Sequence, residues 1–146
     1  MLLLEDVTVG AGEGRVLEAL DLVVRRGETY GAVATDPGVR SAVIELLLGH
    51  SAPVHGRVRV DGLDPVGDAQ LLSGRVRVAD LDHADPGACP TVDVLLVEAA
   101  ADRQPQLARL IDGAVAQRQR PRVTVLVLTD DLALAEGHCD RVGHLR

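Results

Sequence analysis

The chain has no lysine, no tryptophan and no phenylalanine, and its single aromatic residue is Tyr30. Without large rings there is no platform on which nucleic-acid bases could stack, and the core has to be assembled from Leu, Val, Ala and Ile. All fifteen basic side chains are arginine, set against twenty-two acidic ones, for a net charge of −7. That balance argues against a nucleic-acid partner or an anionic membrane surface and serves solubility. Two cysteines, Cys89 and Cys139, are too few for a disulfide framework. No signal peptide and no apolar run of about 18–20 residues is present, so neither secretion nor direct membrane insertion is expected and the chain reads as cytoplasmic. Metal spacing is absent too. His138 and Cys139 are adjacent, while His83 and Cys89 sit in a Pro/Gly-rich stretch, and neither pair has the separation of a zinc site.

What is present is enough for one globular domain: 146 residues, 47% of them apolar. Weak alternation over Leu2–Val9 predicts a strand, Gly10–Gly14 a turn, and Val16–Arg25 a second strand closed by Arg26-Gly27-Glu28. Thr29–Ala34 reads as a short buried strand that feeds a loop, followed by a helix over Ser41–Leu48 with Gly49 as its C-cap. Gly56–Asp61 and Arg75–Ala79 read as strands flanking a turn at Asp64-Pro65 and a short helix over Val66–Leu72. Asp80–Thr91 consists of turn formers without an apolar period. Val92–Val97 and Val123–Leu128 are continuous apolar runs, the pattern of parallel strands covered on both faces. Between them, Pro105 opens a helix with Leu107, Leu110, Ile111, Ala114 and Val115 on one stripe. A helix over Thr129–Gly137, capped by Thr129 or Asp130, and a strand over Arg141–Leu145 complete the chain. Alternating buried strands and amphipathic helices predict an α/β core with a parallel sheet and a more antiparallel N-terminal part.

The stretch Gly31–Gly49, GAVATDPGVRSAVIELLLG, has the layout of a phosphate-binding loop without most of its chemistry. A working loop reads G-x-x-x-x-G-K-[ST], with glycines that let backbone N–H groups curl round phosphate, a Lys for the outer phosphates and a Ser/Thr for magnesium. In register, these positions hold Ala34, Val39, Arg40 and Ser41. β-Branched Val39 resists the positive φ that glycine adopts freely. Pro37 lacks an N–H, and the planar guanidinium of Arg40 is a poor substitute for a compact ammonium. Asp36, Gly38, Arg40 and Ser41 therefore outline at most a vestigial phosphate loop.

The order and spacing of segments resemble the nucleotide-binding subunit of an ATP-binding cassette (ABC) transporter. The resemblance is carried by LLLEDVTV, VLEALDLVVRRGETYGAV and LLLGHSAPVHGRVRVDGLDP, and after residue 91 by VDVLLVEAA and TVLVLTDDLALAEGHCDRVGHLR. It implies a P-loop NTPase-like fold over 1–146, as a single truncated cassette. It also marks the departures. Gly10 and Ala11 fall where the family has an adenine-stacking aromatic, and Asp80 falls where it has a glutamine. The helical subdomain with its Ser-Gly-Gly signature has only a short loop in its place, and Leu72-Ser73-Gly74 precedes that loop. Glu98 falls at the magnesium-binding Asp, Ala99 at the catalytic Glu and Asp130 at the switch histidine.

These departures imply a cassette without catalytic residues or a metal site, in which ATP and magnesium are not expected as cofactors. Asp36, Glu98 and Asp130, with Asp80 and Asp131, are expected to gather at the C-terminal ends of the strands, with Arg40 facing them and free to pair with Glu98 or Asp130. The implied role is a binding, scaffold or regulatory module acting on a protein partner: a second copy, a homologous cassette or a membrane permease. An ATP-binding subunit retaining weak nucleotide binding is the alternative.

Overall fold

The strands sort into two sheets, with the continuous apolar runs at the centre of one of them. The computed structural model describes residues 1–10, 17–79, 92–116 and 123–145. In chain order the elements are β1 (Leu2–Val9), β2 (Leu17–Val24), β3 (Thr29–Val33), α1 (Pro37–Leu48), β4 (His55–Val60), α2 (Ala69–Leu72) and β5 (Val76–Ala79). They continue with β6 (Val94–Ala99), α3 (Gln104–Ala116), β7 (Thr124–Thr129), α4 (Leu132–His138) and β8 (Arg141–His144). Strands β1, β2 and β4 form an antiparallel sheet of order β2-β1-β4, and the other five a parallel sheet of order β5-β6-β7-β3-β8, with the continuous apolar runs of β6 and β7 inside it and the mixed β5 and β8 at its edges. This is the α/β, P-loop NTPase-like arrangement expected, with its antiparallel N-terminal part.

The pleat divides the core in two. On one face of the parallel sheet, Val94 and Leu96 of β6 and Leu126 and Leu128 of β7 pack with α1 and the inner face of the antiparallel sheet. On the other, Leu95, Val97 and Ala99 of β6 and Val125 and Val127 of β7 pack with Leu107, Leu110 and Ile111 of α3. Successive strand residues point to opposite faces, so a strand between two layers must be apolar throughout. Each fully buried Leu or Val contributes about 1.5–3 kcal/mol. Ala114 and Val115 lie within α3, but their side chains are outside the described set.

Four boundaries differ from expectation by more than one residue. Helix α1 begins at Pro37 rather than Ser41, because Asp36 caps it and proline's fixed φ suits the first helical position. Strand β6 runs over Val94–Ala99 rather than Val92–Val97, two residues later: its register opens opposite Val76 and Thr124 and closes opposite Thr129. Residue Thr129 is the last of β7, not a helix cap; α4 starts at Leu132 with Asp131 as N-cap. The short helix over Val66–Leu72 shrinks to Ala69–Leu72, since Asp64 and Asp68 close a turn ahead of it through Asp68 N to Asp64 O at 2.7 Å and Asp64 N to Asp68 Oδ2 at 2.8 Å. The segment Asp80–Thr91, with His83 and Cys89, lies outside the described residues. Gly49 ends α1 at φ 77°, and a Cβ there would stand 2.1 Å from the Pro65 carbonyl oxygen. Only glycine accepts both conditions.

Candidate functional site

All strands of the larger sheet are parallel, so the turns after β3, β6 and β7 emerge along one edge. Ligands in open α/β sheets bind at that edge. The chain leaves β3 with Ala34 N donating to Thr129 O at 2.8 Å, and only Thr35 and Asp36 separate Ala34 from the helix. The segment that would have to curl round phosphate is thus wound into the first turn of α1.

The hydrogen-bond donors of that first turn have partners within the chain. Pro37 has none to offer. Gly38 N donates to Asp36 Oδ1 at 2.8 Å, and Val39 N and Arg40 N reach Asp36 O at 3.1 and 3.4 Å. The Asp36 carboxylate occupies the position favoured for an anion at a helix N-terminus. Val39 is helical and buried, so its resistance to positive φ is never tested. Ser41, expected at the helix start, is exposed one turn in.

Arg40 is drawn inward. Its Nη1 donates to Ala34 O at 2.6 Å and its Nε to Glu98 Oε2 at 3.1 Å, and its side chain is 13% exposed against 46% for Glu98. The pleat explains the pairing: Glu98 shares its face of β6 with Val94 and Leu96, the face that packs on α1. Ala99 points the other way and is buried at 3% among the apolar residues facing α3. Asp130 stays exposed and is not brought to Arg40. Asp131 Oδ1 accepts from Leu134 N at 3.1 Å, so its carboxylate serves α4. Asp80 lies outside the described residues.

Two ionic clusters went unnoticed in the sequence. Asp61, 8% exposed, takes the Met1 amino group, with Arg26 at 3.5 Å and Arg75 at 3.7 Å; Arg75 also reaches Asp93 at 2.6 Å. Burial alone pushes the Asp61 carboxyl up, yet the surrounding cations hold it below the usual range. Glu28 is clasped by Arg141, whose guanidinium lies 5.2 Å over the Tyr30 ring. Their partners are far apart in sequence, so only Asp36-Pro37, a cap-plus-proline pair, carried a local signal of the site's geometry. Among the described residues, no three His, Cys, Asp or Glu side chains are grouped to hold a metal, and no helix is long and apolar enough to cross a membrane.

Strand order, the β3–α1 turn and the flanking antiparallel sheet define a cassette-type P-loop fold. The comparisons with known proteins agree. CbiO1 from Clostridium perfringens, part of the ABC transporter complex CbiONQ, superposes with a TM-score of 0.77 at 13% identity, over 99% of this chain and 84% of that one. A bacterial ABC transporter cassette solved as a dimer superposes with a TM-score of 0.69 at 14% identity, over 99% and 94%. In sequence, the chain is 39% identical over 82 residues to the Nod factor export ATP-binding protein I of Azorhizobium caulinodans, a match spanning 56% of this chain and 26% of that protein. The chain thus covers about a quarter of that curated relative's length. No protein-family model matches. The chain has the fold of an ABC-transporter ATP-binding cassette and resembles such cassettes from end to end.

Proposed function

We propose that this cassette-fold chain does not hydrolyse ATP and acts as a binding, scaffold or regulatory module, with an ABC transporter or a second copy of itself as partner. One observation carries the reading: the first-turn donors of α1 and the guanidinium of Arg40 are satisfied by Asp36, Ala34 and Glu98. A polyphosphate would have to displace an aspartate carboxylate from the helix N-terminus and break the Arg40–Glu98 pair, gaining no ammonium in return. Hydrolysis requires a positioned base and charge stabilisation, and the buried Ala99 supplies neither. A magnesium ion would find Glu98 already paired.

The partner classes in this proposal are drawn from cassettes of the same fold. One similar cassette is part of a transporter complex and another was solved as a dimer. On this reading the protein works in the cytoplasm, with a peripheral place beside a membrane permease. The alternative, an ABC transporter subunit with weak residual nucleotide binding, draws on the match to an ATP-binding protein. Thermal unfolding with increasing ATP and magnesium separates them. The expected result is an unchanged midpoint and no phosphate release; a midpoint that climbs with ligand concentration establishes binding and overturns the proposal.

A further inference from the structure

Among the described residues β5 pairs only with β6, so one row of its backbone N–H and C=O groups faces no strand. Such an edge is a template for an added strand. Its two faces differ in chemistry. Val76 packs with the α1-side core and Ala79 with the α3-side core, so Val76 and Val78 share one face and Arg77 and Ala79 the other.

On the Val76 face lies an open cavity of about 200 Å³ lined by Leu47, Leu48, Pro65, Ala69, Leu72, Ser73, Gly74 and Val76. An enclosed apolar cavity of about 150 Å³ accepts a benzene ring; this open one has room for a branched aliphatic side chain against Leu47, Leu48, Leu72 and Val76, with Ser73 and Gly74 on its polar side. Leu71 (61% exposed), Val66 (48%) and Val78 (39%) extend the apolar surface beside it. On the opposite face Arg77 is exposed and, among the described residues, has no carboxylate partner.

We propose that the outer edge of β5 docks an extended segment of a protein partner, which places an apolar side chain in this cavity and an acidic side chain opposite Arg77. A second copy of this chain fits less well. Antiparallel pairing of β5 with itself about a two-fold axis through Arg77 sets guanidinium against guanidinium, and an axis through Val78 sets Arg77 against Ala79. Neither neutralises the cation, and the first is repulsive. Asp64 and Asp68 flank Pro65 and Ala69 on the cavity side, so the partner's acid belongs on the Arg77 face alone. The recognised pattern is therefore acidic and apolar residues in strict alternation, with main-chain hydrogen bonds supplying affinity and the cavity supplying selectivity. The surface lies three strands from β3, and stands whether or not the nucleotide reading does.

The test uses the full chain and two capped synthetic hexapeptides, one alternating Leu and Glu, the other alternating Leu and Lys. Fluorescence anisotropy reads affinity, and amide hydrogen exchange of β5 reads the site. The Glu peptide is expected to bind and slow exchange at β5, and Arg77→Glu to weaken it about two- to fivefold, the scale of an exposed ion pair, while favouring the Lys peptide. Arg77 is exposed, so this variant folds, and Val78→Ser should weaken both peptides by shrinking the apolar face. Binding of both peptides alike with indifference to Arg77→Glu, or no slowing of exchange at β5, overturns the proposal. Sedimentation showing a dimer whose formation protects the β5 amides also overturns it, by assigning the edge to a second copy.

Discussion

Replacing Arg40 with methionine keeps most of the aliphatic stem and removes the guanidinium, which isolates its two polar contacts. The first is to Ala34 O, in a residue 2% exposed; stripping a donor from a buried carbonyl costs about 1–3 kcal/mol. The second is the ion pair with Glu98, which is 46% exposed and so screened by water; such pairs contribute at most about 1 kcal/mol. Together the loss is about 2 kcal/mol, most of it from the carbonyl. For a domain near 150 residues each kcal/mol moves the midpoint by about 2–4 °C, so Arg40→Met should melt about 4–8 °C lower. Circular dichroism melts and urea titrations read this directly. A cycle with Glu98→Gln adds the apportioning, because it should show a coupling below about 1 kcal/mol. A variant that melts with the wild type would show that Arg40 does not hold the β3–α1 turn. A coupling of several kcal/mol would show that the Glu98 pair, rather than the Ala34 carbonyl, is the main contact.

Three further outcomes follow. Restoring the family's glutamate at Ala99 should lower stability by several kcal/mol and yield no phosphate release, since the new carboxylate would be buried against the α3 layer; a stable, hydrolysing variant would refute the assigned face. Gly49→Ala should cost more than about 1 kcal/mol in urea unfolding, because a side chain at φ 77° meets the Pro65 carbonyl; no change would mean the α1 terminus rearranges freely. The Glu28 carboxyl is held below its ordinary value of 4.5, first by hydrogen bonds from Arg141 and against the opposing effect of burial. A depressed folded value means this stabilisation is fully present above pH 4.5 and is lost as pH falls through the lower folded value. Arg141→Gln should therefore flatten the acid limb of the stability curve below pH 4.5, and an unaltered limb would discount the clasp.

The period of the apolar residues determined most of the architecture without reference to anything distant. Runs such as VTVLVL can only be strands covered on both faces, and a stripe holding Leu107, Leu110 and Ile111 can only be a helix with one face against them. The residue types also carried a local signal at the β3–α1 turn: Pro37 without an N–H and the absence of lysine are facts about donors and charge. Element ends were less legible, because they depend on where neighbouring strands begin. Nothing within residues 92–99 says that β6 must start opposite Val76 and Thr124.

Only the tertiary structure decided which side chains meet at the β3–α1 turn. That Arg40 turns in to Ala34 and Glu98, that Asp36 caps its own helix, and that Glu98 and Ala99 face opposite layers all depend on the register of β6 and the seat of α1 upon it. A shift of one residue along β6 would exchange Glu98 and Ala99 between the two layers. The sequence alone determined which groups were available and which were missing; the pleat and the packing of α1 decided which of them meet.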